Sequence, residues 1–298
     1  MSADGLIVVD KPGGMTSHDV VARIRRLAKT RRVGHGGTLD PMATGVLVIG
    51  VGRATRLLTY VIGAAKSYAG TIRLGQTTVT DDAEGDVTAT IAAGHVTDAQ
   101  ITAGLAALTG EIDQVPSAVS AIKINGQRAY KRVRDGETVE IPSRRVTIST
   151  LEILAVRRDE PDVIDVDVDV TCSSGTYIRA IARDLGAGLG VGGHLTALRR
   201  TRVGGFSLAQ AQTLDELAAT PQDEAVPVLP LAAAARAVLP VRELTEPEAR
   251  ALSYGQGVDD GGEQDGPVAA IGPDEVLVAV VERRGPRLRP AVVFAPAS

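Results

Sequence analysis

The sequence predicts an α+β fold, in which helices flank a mixed and mostly antiparallel sheet and a small β domain follows. Helical and strand patterns succeed one another without the regular βαβ rhythm that builds parallel sheets. The stretch VIDVDVDVTC at residues 163–172 alternates valine with aspartate, as a strand with one buried face does. After residue 230 the apolar segments are short: VAAIG, EVLVAVVE and PAVVFA. We therefore predict two domains, residues 1–230 and 231–298.

The first elements follow from local patterns. Residues 5–10, GLIVVD, predict a buried strand, and KPGGM predicts a turn. Thr16 or Ser17 can cap the next helix, and Asp19 is favourable in its first turn. The apolar stripe of this helix consists of Val20, Ile24, Leu27 and Ala28.

The middle of the chain alternates between the two kinds of element. VLVIG and SYAGTIRLG predict strands, with the helix RATRLLTYVI between them and another helix at 98–108. Further on we predict strands at 146–156, 163–172 and 194–202, a helix at 177–189, and a mere connection at 209–240. Residues 114–145 contain Asn125-Gly126 and many charges, which predict a surface insertion.

Charge is segregated along the chain, although the net charge is only −4. Between Arg23 and Arg56 there are eight basic residues and one acid, Asp40, whereas acids predominate from 209 to 275. The tail carries one basic cluster, ERRGPRLRP. A local basic face can bind phosphates while the whole protein stays acidic.

Several classes of protein are disfavoured. A single cysteine, Cys172, excludes an intramolecular disulfide, and with four histidines we expect no metal site. Cys172 itself is predicted to be a buried small residue. The N-terminus lacks the pattern of a secretory signal, and no segment approaches about 18 uninterrupted apolar residues. We expect a cytoplasmic protein with no membrane partner.

The loop GHGGTLDPMATG at residues 34–45 is the strongest candidate site. Proline after Asp40 favours an extended conformation of the aspartate, and Gly36, Gly37 and Gly45 let the backbone pass close to other groups. A carboxylate among cations stays ionised and can act as a nucleophile or base. The alternative is an aspartate that only organises its own turn.

Five segments in order resemble the TruB family of tRNA pseudouridine synthases. They span about residues 5–205: LIVVDKPGGMTSHDVV, GHGGTLDPMATGVL, KSYAGTIRLG, SAVSAIKINGQRAY and CSSGTYIRAIARDLG. The resemblance implies the pseudouridine synthase fold, a PUA-like RNA-binding tail and an RNA-clamping insertion at 114–145. It implies an enzyme that isomerises uridine 55 in the T loop of tRNA, as a monomer, without a cofactor. Ala65 departs from the acid that the family often has before the lysine of KSY.

The resemblance also assigns roles to single residues. Asp40, Tyr177 and Arg179 correspond to the catalytic aspartate, the tyrosine that helps to move the C5 proton and the arginine that pairs with the aspartate. Four further residues correspond to substrate-binding positions. These are Tyr68, which stacks on the flipped-out base, Leu198 beneath the site, His35, which enters the T loop, and Lys11, with a supporting role.

Two rival interpretations come from other classes of protein. DVDVT at 167–171 resembles the nucleophile motif of aspartate-dependent phosphotransferases, but it continues an alternating strand pattern, which favours an ordinary solvated face. A non-catalytic RNA-binding or tRNA-folding protein could use the same scaffold. It would have no chemical reason to keep Asp40.

Overall fold

The computed structural model of this protein describes residues 4–117, 123–124, 127–128, 141–221, 223–259 and 266–297. The described residues include seven α-helices and 3₁₀ turns at Gly52–Arg56 and Leu208–Gln210. The helices are α1 (Ser17–Leu27), α2 (Leu58–Gly63), α3 (Asp98–Ala107), α4 (Ile178–Gly188), α5 (Leu214–Ala218), α6 (Leu231–Arg236) and α7 (Glu246–Ser253).

The described strands are mostly short. In chain order they are β1 (Gly5–Lys11), β2 (Val33–His35), β3 (Thr44–Val51), β4 (Lys66–Leu74), β5 (Gln76–Thr78), β6 (Val87–Thr90), β7 (Gly110–Gln114), β8 (Lys123–Ile124), β9 (Gln127–Arg128), β10 (Arg144–Arg157), β11 (Ile164–Cys172), β12 (Gly193–Val203), β13 (Phe206–Ser207), β14 (Leu229–Pro230), β15 (Val241–Glu243), β16 (Val258–Asp259), β17 (Val268–Ile271), β18 (Leu277–Arg284) and β19 (Arg287–Val293).

The chain forms two compact units. The first unit comprises Met1–Asp40, Gly45–Ala64 and Val203–Ser298, and the second comprises Pro41–Thr44 and Ala65–Arg202. In the second unit the strand order is β12-β4-β11-β10-β7, and β11 pairs antiparallel with both of its neighbours. In the first unit β1 pairs antiparallel with β3 and β14. The predicted α+β class with a mostly antiparallel sheet is confirmed.

The C-terminal residues of the first unit form a five-stranded sheet in the order β15-β17-β18-β19-β16. Among the described strand pairs of this sheet, only β15 and β17 run parallel to each other. The predicted small β domain is therefore confirmed. Most of the predicted insertion at 114–145 lies outside the described residues, so its role as a clamp stays a prediction.

Strand β11 follows its valine–aspartate alternation. Val166, Val168 and Val170 are fully buried, and the aspartates between them are half-buried on the opposite face. That face is stabilised by polar pairs rather than by solvent alone. Arg73 donates two hydrogen bonds of 2.8 Å to Asp165, and Thr71 donates one of 2.7 Å to Asp167. The predicted burial of Cys172 at the end of this strand is also confirmed.

Helix α1 begins with the predicted cap. Thr16 and Asp19 form a reciprocal capping box, in which each side chain accepts a hydrogen bond from the other residue's backbone. Val20, Val21 and Ile24 form the buried face, and Arg25 and Arg26 in the last turn suit the negative end of the helix dipole.

Residues 209–240 are more ordered than a connection, which corrects the prediction. They contain α5, β14 and α6, and β14 extends β1 of the first unit. The hydrophobic periodicity of short, alanine-rich helices is too weak to be recognised in the sequence. In the structure, Leu217, Ala234 and Ala235 of these helices are completely buried.

The core of the first unit combines the two ends of the chain. Leu6 and Val48 of its N-terminal strands belong to one buried cluster with Ala269, Val280 and Phe294. Because burial of apolar surface is the main stabilising term, each part depends on the other for its stability. The predicted boundary near residue 230 stays a prediction.

Two arginines of the basic N-terminal stretch support this core. Arg53 donates to the carbonyl of Phe294 (2.9 Å) and to the carboxylate of Asp4, and Arg56 donates to the carbonyl of Val293 (2.7 Å). Arg56 also lies over the Phe294 ring, 5.4 Å from its centroid. These two cations hold the last strand and are engaged within the protein.

We predict that Asp165→Asn destabilises the protein in a pH-dependent way. The two hydrogen bonds from Arg73 lower the pKa of Asp165 below its ordinary value of 3.8. A lowered folded-state pKa contributes stability that is present above the ordinary pKa and is lost as the pH falls through the folded value. We expect a loss of about 1 kcal/mol in the free energy of unfolding at pH 7, vanishing at strongly acidic pH.

The matched control is Asp169→Asn on the same face of β11. Among the described residues Asp169 has no ion pair within reach, so its substitution should change stability by less than about 0.5 kcal/mol. Denaturant titrations at several pH values measure both variants. Equal losses for the two, or a loss at Asp165 that does not depend on pH, would contradict the assigned pairing.

Candidate functional site

The loop that carries Asp40 has a backbone that only glycine permits. A side chain at Gly36 would place Cβ 2.6 Å from Cγ1 of Val61, too close for any other residue. Gly37 and Gly45 have φ angles of 115° and 98°, in a region that L-residues rarely adopt. Asp40 is half-buried between them. The glycines predicted to allow close approach therefore fix the path of the loop on both sides of the aspartate.

Ser17 at the start of α1 anchors this loop. Its hydroxyl donates to the carbonyl of Leu39 (3.1 Å) and accepts from the N–H of the same residue (2.8 Å). Ser17 is 1% exposed and Leu39 is 4% exposed, so water does not compete for these groups. One buried side chain thus holds both polar groups of the residue that precedes Asp40. From the sequence alone, Ser17 is recognisable only as a candidate cap of α1.

His35 and Lys11 also lie in the first unit. The ring of His35, in β2, meets the edge of the His18 ring at a centroid distance of 5.3 Å. The first two residues of α1 therefore contact both His35 and the Asp40 loop. Lys11 is fully buried, and its ammonium donates to the carbonyls of Pro12 (2.8 Å) and Met15 (2.6 Å). This closes the turn before α1, in keeping with a supporting role.

Tyr68 and Leu198 lie in the second unit on adjacent strands, β4 and β12. Both are largely buried, at 7% and 8% exposure. A Cβ on Gly70 would lie 3.5 Å from Cδ1 of Leu198, so the leucine packs directly over this glycine. Because side chains alternate along a strand, Gly70 and Tyr68 share one face of β4. The structure thus brings Tyr68 and Leu198 to the same face.

Leu198 also lines a cleft of about 670 Å³ within the second unit. Its wall includes Met42 and Thr44, which follow Asp40 in the chain, and Gly70 of β4. Cavities of this size commonly accommodate small organic groups.

Arg179 is buried in the first turn of α4, and its partner is a residue that sequence analysis missed. Its guanidinium lies 3.2 Å from the carboxylate of Asp82 and donates to the carbonyl of Thr80 at 2.7 Å. Asp82 is 2% exposed and accepts further hydrogen bonds from the Thr80 hydroxyl (2.5 Å) and the Glu84 N–H (3.0 Å). A buried ion pair needs such additional hydrogen bonds to offset desolvation. Asp82 therefore orients Arg179.

The sequence offered only a weak sign of this role. Asp82 belongs to the polar loop TTVTDDAEGD, where an aspartate most often organises a turn. Asp82 does that as well, since it binds Thr80 and Glu84 nearby. Its contact with Arg179 depends on tertiary packing. The pairing of Arg179 with Asp40, implied by the resemblance, stays a prediction.

Two further ionisable groups, the half-buried Asp81 and the buried Lys66, lie close to the candidate residues. Burial raises the pKa of the Asp81 carboxyl, although Arg183 at 3.5 Å acts in the opposite direction. Burial, together with the positive charge of Arg200, lowers the pKa of Lys66 to about 8. Lys66 still carries its proton at pH 7 and lies two residues before Tyr68 on the same strand.

Neither a metal site nor a membrane helix is found in the described part of the chain. No group of three or more His, Cys, Asp and Glu side chains is placed to hold a metal ion. No described helix is long and apolar enough to span a bilayer.

Family models match almost the whole chain. Residues 25–178 match the TruB family pseudouridylate synthase N-terminal domain. Residues 179–245 match the tRNA pseudouridylate synthase B C-terminal domain, and residues 239–295 match the tRNA pseudouridine synthase II C-terminal model.

Curated relatives are similar over their full length. A tRNA pseudouridine synthase B of Arthrobacter sp. (strain FB24) is 57% identical over 303 residues, covering 99% of this chain and 97% of the relative. The protein of that name from Thermobifida fusca is 58% identical and covers 98% of this chain and 99% of the relative. Among solved structures, a Cbf5-Nop10-Gar1 complex contains a chain with a TM-score of 0.75 and 27% identity, covering 98% of this chain and 85% of that one.

We predict that Ser17→Ala loosens the Asp40 loop. The change leaves the N–H and C=O of Leu39 buried without their partner, which costs about 1–3 kcal/mol in the free energy of unfolding. The Leu39 amide should also exchange with solvent faster, as measured by nuclear magnetic resonance.

Ser253→Ala is the matched control, because within the described part of the chain the Ser253 hydroxyl donates only to the Arg250 carbonyl of its own helix, at the surface. We expect a change below about 0.5 kcal/mol there. Unchanged exchange at Leu39 in Ser17→Ala would show that the hydroxyl does not hold the loop.

Proposed function

Because this chain belongs to the TruB family of pseudouridine synthases, we propose that it converts uridine 55 in the T loop of tRNA into pseudouridine with Asp40 as the catalytic group. The family membership makes the chain a pseudouridine synthase, an isomerase of uridine in tRNA. One observation above the others supports the proposed catalytic role of Asp40. Asp40 is half-buried in a loop whose backbone is fixed by glycines and by the Ser17 hydroxyl, as the presentation of a single reactive carboxylate requires.

The chemistry of the reaction agrees with the residues present. Uridine and pseudouridine differ only in whether ribose C1′ is bonded to N1 or to C5 of the uracil. The enzyme breaks the glycosidic bond, turns the base and forms a carbon–carbon bond. Oxidation states balance within the substrate, so the reaction needs no redox cofactor.

Asp40 has three chemical routes open to it. Its carboxylate can attack C1′ of the ribose, attack the base, or remove a sugar proton to form a glycal. Each route needs an ionised carboxylate, which a neighbouring guanidinium favours. We propose this role for Arg179. A guanidinium has five donors, enough to bind Asp82, Thr80 and a second carboxylate together.

The uridine must leave its stack before any of these steps. Flipping a nucleotide out costs a few kcal/mol. We propose that stacking on Tyr68 returns about 1–3 kcal/mol of that. Leu198 of β12 supplies an apolar surface that packs over the face of β4 that carries Tyr68. Tyr177 assists proton movement at C5. His35, which contacts His18, enters the T loop where the uridine has left, and Lys11 holds the turn that leads to α1.

A non-catalytic RNA-binding or tRNA-folding protein is the competing proposal. It would need the basic surfaces but not an ionised carboxylate in a fixed loop. Asp40 therefore distinguishes the two. The T arm as the recognised element, a monomeric state and action in the cytoplasm belong to the same proposal.

Asp40→Asn is predicted to abolish pseudouridine formation while tRNA affinity stays close to that of the unmodified protein. The amide keeps the size of the carboxylate but is neither a nucleophile nor a base, so the rate should fall about 10³-fold or more. Mass spectrometry of unmodified tRNA after incubation measures the product.

Asp215→Asn provides a control, since Asp215 is exposed and, among the residues that the structure describes, forms an ion pair only with the partly exposed Arg23. Its activity should be unchanged. Full activity of the Asp40 variant would reject the catalytic assignment, and tRNA binding without activity in the parent protein would favour the competing proposal.

The basic cluster of the tail is expected to contact tRNA outside the T arm. We expect a T-arm stem-loop alone to be a substrate, with Arg283, Arg284, Arg287 and Arg289 contacting only the more distant parts of full-length tRNA. All four are exposed on the hairpin of β18 and β19. Since residues after 230 share a core with β1, substitution by glutamine tests this better than deletion does.

Loss of phosphate contacts weakens binding and reduces its dependence on salt. The fourfold variant should bind full-length tRNA less tightly, with a shallower salt slope, and should bind the stem-loop nearly as before. Arg250 is exposed on α7, so Arg250→Gln is the control for loss of one charge elsewhere on the surface. Equal losses for the two RNAs, or an unchanged slope, would show that the hairpin does not contact the rest of the tRNA.

A further inference from the structure

Tyr177 is held from two directions at the start of α4. It is the N-cap residue of the helix, but its side chain makes no capping hydrogen bond. Instead the side-chain amide of Gln114 binds both the N–H and the carbonyl of Tyr177. The Gln114 Nε2 donates to the Tyr177 carbonyl (3.1 Å), and the Tyr177 N–H donates to Gln114 Oε1 (2.8 Å). Gln114 is 1% exposed, so these two hydrogen bonds are shielded from water.

Arg144 restrains the ring of the same tyrosine. Its guanidinium carbon lies 5.0 Å from the centroid of the Tyr177 ring, a favourable distance for a cation–π contact. The guanidinium also reaches the carbonyl of Gly175 at 3.5 Å, close to the limit for a hydrogen bond. Gly175 has a φ of 87°, which turns the chain just before Tyr177. The ring therefore has a planar cation against one face.

Gln114 and Arg144 are direct partners in the ladder between β7 and β10. Partners in an antiparallel pair project to the same face of a sheet. One pair at the end of this ladder thus contacts both the backbone and the ring of Tyr177. The next residue, Arg145, has the opposite orientation, is exposed, and pairs with Glu111 and Asp113.

We propose that Gln114 and Arg144 are positioning residues for Tyr177, with Gln114 setting the main chain and Arg144 setting the plane of the ring. This inference rests on the proposed function, in which Tyr177 moves a proton at C5 of the base. A proton transfer requires its two heavy atoms at hydrogen-bond distance. A ring free to turn about its two side-chain torsions would meet that condition only part of the time.

The two residues should differ in how strictly each is required. Glutamate at 114 keeps an acceptor for the Tyr177 N–H but loses the donor to its carbonyl, so Gln114→Glu should retain part of the effect. Lysine at 144 keeps the charge but not the planar group that stacks on a ring, so Arg144→Lys should recover little.

The first measurement is the single-turnover rate of pseudouridine formation together with the tRNA dissociation constant. We expect Gln114→Ala and Arg144→Ala to lower the rate at least about tenfold, since small misplacements of reacting groups have effects of that size or larger. Affinity should change by less than about threefold, and the control Arg145→Ala should match the parent protein. A weaker affinity at an unchanged rate would instead make Arg144 an RNA contact and overturn the proposal.

A double-mutant cycle tests whether the residues act through Tyr177. In a Tyr177→Leu background the ring and its hydroxyl are gone, so Arg144→Ala should cause no further loss of rate. Full, multiplicative losses in the double variant would show that Arg144 acts elsewhere. Thermal unfolding of each variant verifies that it is folded.

Amide exchange separates this inference from the proposed function. If the parent protein forms no pseudouridine in the T loop, the proposed function fails, and the anchoring of Tyr177 is judged by exchange alone. Gln114→Ala should speed exchange of the Tyr177 N–H at least about tenfold, because its acceptor is removed, and Arg145→Ala should not. Unchanged exchange in Gln114→Ala would overturn the assignment of Gln114, whatever the activity.

Discussion

The buried ion pair between Arg179 and Asp82 is the contact on which the second unit's candidate site depends. Both side chains are almost completely removed from water, so each charge is strongly stabilised by the other. Breaking such a pair costs about 3–5 kcal/mol, because the remaining charge stays buried. The loop around Thr80 supplies the additional hydrogen bonds that the pair needs. The position of α4 is therefore tied to a loop from a distant part of the chain, and Gln114 ties the start of the same helix to the sheet.

In the first unit, buried side chains hold the main chain directly. Ser17 and Lys11 are buried polar side chains that bind main-chain atoms of short neighbouring segments. Each satisfies carbonyls or N–H groups that would otherwise be buried without partners, which makes the local path of the chain unique. Glycines at positions without room for a side chain complete this arrangement. The candidate residues of both units are thus held mainly by side chains that do no chemistry themselves.

Basic residues close together in sequence have different tasks in the structure. Arg53 and Arg56 bind carbonyls at the end of β19 and are occupied within the first unit. Arg25 donates to the Val33 carbonyl (3.1 Å), whereas Arg26 and Arg31 are exposed on and after α1, where phosphate groups can approach. A count of charges along the chain overestimates the surface available to RNA, since part of the charge stabilises the protein itself.

Local patterns by themselves determined the strand β11, the capped start of α1, the burial of Cys172 and the loop that presents Asp40. Each depends on neighbours within a few residues, where periodicity and turn chemistry act directly. Tertiary structure alone decided the partner of Arg179, the use of Arg53, and the ordered packing of residues 209–240. Polar loops such as the one containing Asp82 have no period, and short alanine-rich helices have almost none. Their roles are set by which distant segment they meet, because a buried charge or N–H group must find its partner wherever the fold provides one.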